Sequence, residues 1–334
     1  MNVLVAGGAG YIGSHTVKAL RQAGHAPVIY DNLSRGHRAV AQILRVPAVW
    51  ADLSDAAALV KALREHQIQC VMHFAAFAYV GESVEQPLAY YDNNVAGTLR
   101  VLEAMEECGV NTLVFSSSAT VYGDPIRLPL TEDHPLSTTN PYGRMKLMIE
   151  EILRDLHRSD PSWKIGILRY FNPAGAHASG LIGEDPQGVP NNLLPVVAQV
   201  AVERRVCLNV WGNDYSTPDG TGVRDYIHVV DLALGHLKAL KVLEGVQERA
   251  ECLTVNLGTG RGYSVLDIVR AFEQASGRAV PYKVAPRRPG DVASCYANPQ
   301  RAFELLDWRA ERGIDAMCAD AWRWQSGNPN GFKN

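Results

Sequence analysis

The stretch MNVLVAGGAGYIGSH, residues 1–15, decides the fold of this chain. The apolar run Val3–Val5 predicts a buried strand, and glycines at a GxxGxxG spacing follow it directly. A helical pattern then runs from about Tyr11 to Ala23. A strand, a glycine-rich turn and a helix in this order predict a turn that cradles a phosphate, with the helix N-terminus facing the anion.

Three glycines and one acidic residue make this prediction specific to a dinucleotide. We expect Gly7 to permit the tight turn, Gly10 to let the backbone approach a pyrophosphate, and Gly13 to let the helix pack on the strand. The second predicted strand, PVIYD, ends at Asp31, about twenty residues beyond the turn. A carboxylate there can accept hydrogen bonds from both hydroxyls of an adenosine ribose.

Asp31 also bears on which dinucleotide is bound. Its carboxylate would repel a 2′-phosphate, which favours NAD over NADP. Arg35 and Arg38 lie just downstream and could receive such a phosphate, so the sequence alone leaves NADP open.

Composition limits the class of protein. With 334 residues and 47% hydrophobic content, the chain can form one large domain or two moderate ones. A net charge of −3 argues against nucleic acid or an anionic membrane as partner. The start MNVLVAG lacks a basic leader region, and no stretch approaches about eighteen apolar residues, so we expect a cytoplasmic protein. The six cysteines are scattered, and no metal site is predicted.

Beyond the turn, apolar strands alternate with helical patterns over the first half of the chain. The strand segments are NVLVAG, PVIYD, AVWADL, CVMHFAA, TLVFSSS and IGILRYF. Helices are predicted over Pro87–Glu107 and Pro141–His157. This alternation predicts an α/β fold with a doubly wound parallel sheet, the Rossmann fold.

After Phe171, loops rich in glycine, proline and asparagine replace the alternation, with a helix predicted near Leu193 to Arg204. We therefore expect an NAD-binding Rossmann domain over residues 1–171 and a second, smaller mixed α/β substrate domain over residues 172–334. Helix and strand patterns return in RDYIHVVDLALGHLKAL and TVNLG. Residues from about 224 to 258 are therefore expected to rejoin the first domain.

Tyr142 and Lys146 lie four residues apart in PYGRMK, so a helix there brings a phenol beside an ammonium. To act as a base at neutral pH, a tyrosine needs about 4 kcal/mol of preferential stabilisation of its phenolate. A cation about 5 Å away, at an effective dielectric of about 20, offers about 3 kcal/mol before desolvation. The ring of an oxidised nicotinamide is the candidate for a second cation.

With the glycine turn, Asp31, SSSATVYG and YGRMK, the chain resembles the extended short-chain dehydrogenases/reductases. Within them it is similar to the UDP-glucose 4-epimerase family nearly end to end. The shared motifs are HFAA, VGESV, PLAYYDNNVAGT, RYFNPAGAH, GEDPQGVPNNL, GNDYSTPDGTGVRDYIHV and RWQSGNPNGF. The resemblance implies tightly held NAD, a homodimer paired through two helices per subunit, and a UDP-hexose between the two domains.

The resemblance also implies functions for individual residues. It makes Ser118, Tyr142 and Lys146 catalytic. Around NAD it places those three together with Gly7, Gly10, Tyr11, Ile12, Gly13, Asp31, Asn32, Leu33, Ser34, Arg35, Gly36, Asp52, Leu53, Phe74, Ala75, Ala76, Ala78, Asn93 and Phe171. Around the UDP-sugar it places Ser118, Tyr142, Asn172, Asn192, Leu193, Asn209, Val210, Trp211, Arg224, Arg288, Asp291 and Cys295. Arginine forks suit a diphosphate, and asparagines suit uracil and hydroxyl groups.

Two positions depart from the best-known pattern of the family. Ala78 stands where well-known bacterial members carry a lysine, so one cofactor contact is missing or replaced, and Tyr79 is a candidate to fill the space. Cys295 stands where members restricted to glucose and galactose tend to carry tyrosine. Because a small side chain leaves room for an acetamido group, we expect UDP-GalNAc and UDP-GlcNAc to be substrates as well.

The implied chemistry is transient oxidation of the sugar at C4. Tyr142 takes the proton of the 4-hydroxyl, a hydride passes to NAD, and the 4-keto sugar turns before the hydride returns. A 4,6-dehydratase begins in the same way, but its Asp-Glu pair after the catalytic serine or threonine is replaced here by Ala119 and Thr120. A UDP-glucuronate or UDP-pentose 4-epimerase stays open, and a non-catalytic NAD sensor is opposed by the intact catalytic residues.

Overall fold

A computed structural model describes residues 1–188, 190–245, 252–288 and 290–333. Its strands are β1 (Asn2–Ala6), β2 (Ala26–Asp31), β3 (Ala48–Trp50), β4 (Cys70–His73), β5 (Thr112–Ser118), β6 (Lys164–Tyr170), β7 (Asn172–Ala174), β8 (Leu208–Trp211), β9 (Val223–Arg224), β10 (Tyr226–His228), β11 (Leu253–Leu257), β12 (Tyr263–Ser264), β13 (Tyr282–Ala285) and β14 (Ser294–Cys295).

The helices run between and after these strands. They are α1 (Tyr11–Gln22), α2 (Ala39–Leu44), α3 (Ala56–Glu65), α4 (Val80–Glu85), α5 (Pro87–Tyr91), α6 (Gly97–Glu107), α7 (Pro141–Ser159), α8 (Leu193–Ala201), α9 (Val229–Glu244), α10 (Val265–Ser276), α11 (Gln300–Leu306) and α12 (Ile314–Gly327). None of these helices is both long and apolar enough to cross a membrane.

Seven parallel strands form the central sheet in the order β11-β6-β5-β4-β1-β2-β3. The predicted doubly wound parallel sheet is therefore confirmed. The strand order reverses between β1 and β4, which are neighbours in the sheet although β2 and β3 separate them in the chain. In such sheets a ligand binds beyond the carboxyl ends of the strands at this reversal.

The two faces of the sheet bury separate cores. Along β1, Val3 and Val5 belong to the core beneath α1 and α9, while Leu4 and Ala6 belong to the core beneath α3, α6 and α7. Successive side chains of a strand point to opposite faces, so a strand covered on both sides must be apolar throughout. This explains the uninterrupted apolar run with which the chain begins.

A smaller region packs around α8, α10 and α12, whose apolar faces share one core with β8 and β10. Its strands form short sheets, β10-β7, β12-β9-β14 and β13-β8. Between them the chain returns to the large sheet, because α9 packs in the same core as α1 and β11 pairs with β6. Residues 246–251 of the predicted return segment lie outside the described residues, and the proposed domain limits stay a prediction.

The helix predicted over Pro87–Glu107 is not regular. A wider π-helical turn over Asp92–Ala96 separates α5 from α6. Inside this turn the amide of Asn94 binds both backbone groups of Phe77, accepting from its N–H at 2.8 Å and donating to its carbonyl at 3.0 Å. Such turns often occur at functional sites, and this one places Asn93 in the wall of a cavity described below.

Candidate active site

Strand β5 and helix α7 bring together the three residues predicted to be catalytic. β5 ends at Ser118. α7 is capped by Asn140, whose side chain accepts a hydrogen bond from the backbone N–H of Gly143 at 2.8 Å. This cap fixes the first turn and places the phenol of Tyr142 beside the side chain of Ser118, whose hydrogen bonding lowers the pKa of the phenol. Lys146 follows one turn later on the same side of the helix.

Burial controls the acidity of Tyr142. It raises the pKa of the phenol to about 12, and the hydrogen bond with Ser118 opposes this only in part. The Nζ of Lys146 donates to the carbonyl of Ser116 at 2.6 Å and lies 5.9 Å from the centre of the Tyr142 ring. Burial therefore sets the direction of this shift in the protein alone, because desolvation disfavours the charged phenolate. That Lys146 lowers the tyrosine pKa stays a prediction.

Lys146 is itself buried, and burial lowers its pKa to about 7, while the negative charge of Glu150 opposes this shift. Glu150 lies one turn further along α7. Its carboxylate accepts hydrogen bonds from Arg169 at 2.9 and 2.6 Å and from Ser117 Oγ at 2.5 Å. Our sequence analysis missed Glu150, although its spacing of four residues from Lys146 on the helix could have indicated a carboxylate near the lysine.

The lowered pKa of Lys146 predicts a pH-dependent stability. An unfolded lysine titrates near 10.4, so between about pH 7 and pH 10 the unfolded chain binds more protons than the folded chain. Folded stability therefore rises with pH across this window. Relative to Lys146→Met, we expect the wild type to gain on the order of 1–3 kcal/mol of unfolding free energy from about pH 7 to pH 9.5. Urea unfolding measures this.

A matched control for this prediction is Lys61→Met, because Lys61 is an exposed lysine on α3. Its difference from the wild type should be the same at both pH values. If the difference between the wild type and Lys146→Met is also independent of pH, Lys146 is not a lysine of lowered pKa.

A cavity of about 230 Å³ lies at the strand reversal, beyond the carboxyl ends of β1 and β4. The predicted residues in its wall are Gly7, Gly10, Tyr11, Ile12, Gly13, Asp31, Asn32, Ser34, Arg35, Gly36, Leu53, Phe74, Ala75, Ala76, Ala78, Asn93 and Asn192. The predicted cofactor residues outside this wall are Leu33, Asp52, Ser118, Tyr142, Lys146 and Phe171. Tyr79, the candidate to fill the space left by Ala78, also lies in this wall. Wall residues that the sequence analysis missed are Tyr30, Ala51, Phe77, Ser116, Glu184, Asp185, Pro186 and Gln187.

The glycine turn has the shape that a pyrophosphate needs. Gly7 has a φ of 78°, and a Cβ on it would lie 2.6 Å from the backbone nitrogen of Ala75. A Cβ on Gly13 would lie 2.1 Å from the Gly7 carbonyl oxygen, so helix and turn meet only because the side chain is absent. Gly10 faces the cavity, and α1 begins beside it with no acidic residue in its first turn. The residues present therefore fit a dinucleotide.

Asp31 lies in the cavity wall at the end of β2. Its Oδ2 accepts from the backbone N–H of Ala9 at 3.0 Å and its Oδ1 from that of Leu33 at 2.8 Å. Burial raises the pKa of this carboxyl, and the two N–H groups oppose the shift. Each oxygen keeps a lone pair for a ribose hydroxyl.

The two arginines that could have received a 2′-phosphate are both engaged. The guanidinium carbon of Arg38 lies 4.7 Å from the centre of the Trp50 ring. Arg35 is paired with Glu82 through two hydrogen bonds of 2.8 Å. These contacts favour NAD over NADP.

Residues predicted to bind the sugar nucleotide form a second cluster. Asp291 lies between two arginines, accepting from Arg288 Nε at 2.9 Å and lying 3.9 Å from Arg224 Nη2. The guanidinium carbon of Arg288 is 6.0 Å from the centre of the Trp211 ring. Cys295 is the β14 residue in register with Arg224 of β9. Two adjacent guanidinium groups, partly neutralised by one carboxylate, suit a diphosphate.

The other residues predicted to bind the substrate differ in whether they have a polar side-chain group available for a ligand. Asn192 precedes α8, and its Nδ2 donates to Glu184 Oε1 at 2.6 Å, while Leu193 packs against the core of the smaller region. Asn172 opens β7. On β8, the Oδ1 of Asn209 is buried without a partner among the described residues. The side chain of Val210 is buried in the core, so this residue can contact a ligand only through its backbone.

Phe171 and Cys295 belong to one small apolar cluster next to Ser118, together with Ala119 and Tyr122. Burial raises the pKa of the Cys295 thiol to about 11. The side chain is therefore a small, uncharged group at neutral pH. The property that matters at this position is the small volume that the thiol occupies.

Glu184 in the cavity wall and Tyr215 near the arginine cluster are polar side chains that the sequence analysis missed. Burial raises the pKa of Glu184 to about 7, with the hydrogen bond from Asn192 opposing the shift. The Tyr215 ring lies 4.1 Å from the Arg287 guanidinium carbon, and its buried hydroxyl has no partner within the described ranges. No group of three or more His, Cys, Asp or Glu side chains in the described part of the chain could hold a metal ion.

Known proteins are similar to this chain over nearly its whole length. The model of the family described as GDP-mannose 4,6 dehydratase matches residues 4–321. A UDP-glucose 4-epimerase from Mus musculus is 57% identical, over 99% of this chain and 98% of that protein. Two crystal structures are similar over their full length.

The first is a UDP-glucose 4-epimerase from Bifidobacterium longum in complex with NAD+ and UDP, with a TM-score of 0.95 and 50% identity over 99% of this chain and 100% of that one. The second is a UDP-glucose 4-epimerase from Stenotrophomonas maltophila with bound NAD and formylated UDP-arabinopyranose. Its TM-score is 0.94, with 46% identity over 98% of each chain.

Proposed function

This chain belongs to the UDP-glucose 4-epimerase family, and on that premise we propose that it interconverts UDP-galactose and UDP-glucose with a tightly bound NAD, using Tyr142, Ser118 and Lys146. The observation that carries the proposal is the meeting of these three side chains beside the cavity of the glycine turn. NAD, when bound, supplies a hydride acceptor and donor and a positively charged ring.

Tyr142 holds and returns the proton of the sugar 4-hydroxyl. Because burial raises the pKa of this phenol to about 12, it needs additional positive charge beside it before it can act as a base near neutral pH. Oxidised nicotinamide carries such a charge. Ser118 is positioned to bind the same sugar oxygen, since its hydroxyl already contacts the phenol. Lys146, held by Ser116, adds charge to the extent that it is protonated.

The sugar nucleotide is bound by its diphosphate. We assign this contact to Arg224 and Arg288, which Asp291 orients. The sugar itself must be held loosely, because inversion at C4 requires its two faces to be presented in turn to the same side of the cofactor. Firm binding of the diphosphate by the arginines keeps the substrate in the site, and few contacts with the sugar leave the sugar free to turn.

The matching family model is described as a 4,6-dehydratase, and a dehydratase needs acid and base groups beyond those of an epimerase. Ser118 is followed by Ala119 and Thr120 in a short 3₁₀ helix, and the Thr120 hydroxyl donates to Ser118 Oγ at 3.0 Å. Neither side chain can remove a proton from C5 or protonate a leaving hydroxide. We therefore infer epimerisation without elimination.

The proposal extends to UDP-GalNAc and UDP-GlcNAc, because the small thiol of Cys295 lies beside the strand that carries Arg224. A UDP-pentose stays a second candidate substrate, since the Stenotrophomonas relative was crystallised with a UDP-arabinopyranose derivative. The first experiment is to denature the purified protein, identify the released cofactor, and assay these UDP-sugars on native protein without added NAD. Release of no NAD, or no conversion of UDP-galactose, would refute the proposal.

We also infer a homodimer. Three apolar side chains are exposed along α4, α5 and α7, namely Val84, Leu88 and Met148, which are 62%, 84% and 37% exposed. A surface of this kind suits pairing with the same helices of a second copy. The mass in solution, measured by light scattering, tests this: twice the mass of the chain is expected, and the mass of one chain would contradict it.

A further inference from the structure

Two segments next to the cofactor cavity, the loop after β2 and helix α4, are joined by an ion pair. Arg35, in the loop after β2, donates from Nη2 to both carboxylate oxygens of Glu82 on α4, at 2.8 Å each. Glu82 also accepts from the hydroxyl of Tyr90 at 2.7 Å, and Tyr90 is only 1% exposed. Glu82 is thus held in place by a buried tyrosine, whereas Arg35 lies on a loop.

Aromatic rings hold the arginine from the same side. Its guanidinium carbon lies 5.1 Å from the centre of the Tyr79 ring and 5.5 Å from that of Phe77. Arg35, Phe77, Ala78 and Tyr79 all line the cavity. Ala78 contributes no charge to this wall, whereas Arg35 places a cation in the same wall.

The loop of Arg35 is bound on its other side as well. Gln187 Nε2 donates to the carbonyl oxygens of Gly36 at 2.7 Å and Leu33 at 3.3 Å. The His37 ring lies 2.7 Å, through Nε2, from the carbonyl oxygen of Asp185. The loop after β2 is therefore tied to two different parts of the cavity wall.

We propose that the Arg35–Glu82 pair is a clasp that retains the bound NAD. This inference rests on the proposed function, because it assumes that NAD is the ligand. Opening the cavity at the loop after β2 breaks a charge-assisted pair in which one guanidinium nitrogen contacts both carboxylate oxygens. The two side chains are 38% and 29% exposed, so solvent weakens the pair, and we expect its loss to speed NAD release about fivefold.

The experiment follows release of NAD from the purified holoenzyme, with an excess of a dehydrogenase and its substrate converting free NAD as it appears. Arg35→Met and Glu82→Gln should each release NAD about fivefold faster than the wild type. Because both changes remove the same ion pair, the double variant should be no faster than either single variant. Arg38→Met, which removes the neighbouring arginine stacked on Trp50, is the matched control and should release at the wild-type rate.

Three results would overturn the clasp: an unchanged release rate in Glu82→Gln, an unchanged rate in Arg35→Met, or a double variant about 25-fold faster than the wild type, as independent effects would give. Circular dichroism of each variant shows whether it is folded, and Glu82→Gln, which keeps the shape of the side chain, is the variant least disturbed. If the wild type contains no NAD, the proposed function itself fails. If it contains NAD and the variants release it normally, only the clasp fails.

Discussion

Tyr142→Phe is expected to lower kcat for the interconversion of UDP-galactose and UDP-glucose by about 10³-fold, within the range for loss of a positioned acid–base group. KM should change much less, because the arginines that we assign to the diphosphate are untouched. The substitution keeps the ring, its packing on α7 and the burial, and it deletes only the oxygen that contacts Ser118.

Two measurements separate this loss from damage to the fold. The variant should contain as much bound NAD as the wild type after purification. Tyr282→Phe removes the hydroxyl of a half-exposed tyrosine on β13 and should retain full activity. A Tyr142→Phe enzyme that contains NAD and turns over at the wild-type rate would mean that another group moves the proton.

Cys295→Tyr is expected to lower kcat/KM for UDP-GlcNAc and UDP-GalNAc by at least about 100-fold. In the same variant, kcat/KM for UDP-glucose and UDP-galactose should change only a few-fold. A phenol ring in place of the thiol fills the space that an acetamido group needs. The reason is steric, because burial raises the pKa of the thiol to about 11 and leaves it uncharged.

Cys295→Ser is the matched control, since it keeps a small side chain and should keep both pairs of substrates. A wild-type enzyme that fails to convert UDP-GlcNAc would refute the specificity proposal and leave the epimerase proposal intact. Equal loss of both substrate pairs in Cys295→Tyr would instead show that the residue supports the site as a whole.

The parts of the fold that local sequence determines were predictable. Residues 1–15 contain the apolar strand and the glycines, and Gly7 and Gly13 are required by close backbone approaches at the strand reversal. The spacing of Tyr142 and Lys146 on α7 followed from helical periodicity. These features depend on neighbours in the chain, so a pattern is enough to indicate them.

Features that depend on distant partners were not predictable. The π-helical turn before α6 contains Asn94, whose side chain binds the backbone of Phe77, and the charge of Glu150 is matched by Arg169 on another element. Arg35 was predicted as a residue around NAD and as a possible partner of a 2′-phosphate, whereas its carboxylate partner Glu82 lies 47 residues away. The burial that raises the pKa of Tyr142 comes from tertiary packing, so the spacing of Tyr142 and Lys146 could not indicate it.

We expect Tyr142 to be protonated in the protein alone and to become acidic when oxidised NAD is bound beside it. The most direct test is the ultraviolet difference spectrum of tyrosinate, wild type minus Tyr142→Phe, titrated from about pH 6 to pH 9.5, a range that lies below the titration of an ordinary tyrosine. We predict a single ionisation in this range for the NAD-loaded protein and none for protein stripped of NAD. An NAD-loaded enzyme whose difference spectrum stays flat across this range would contradict the account.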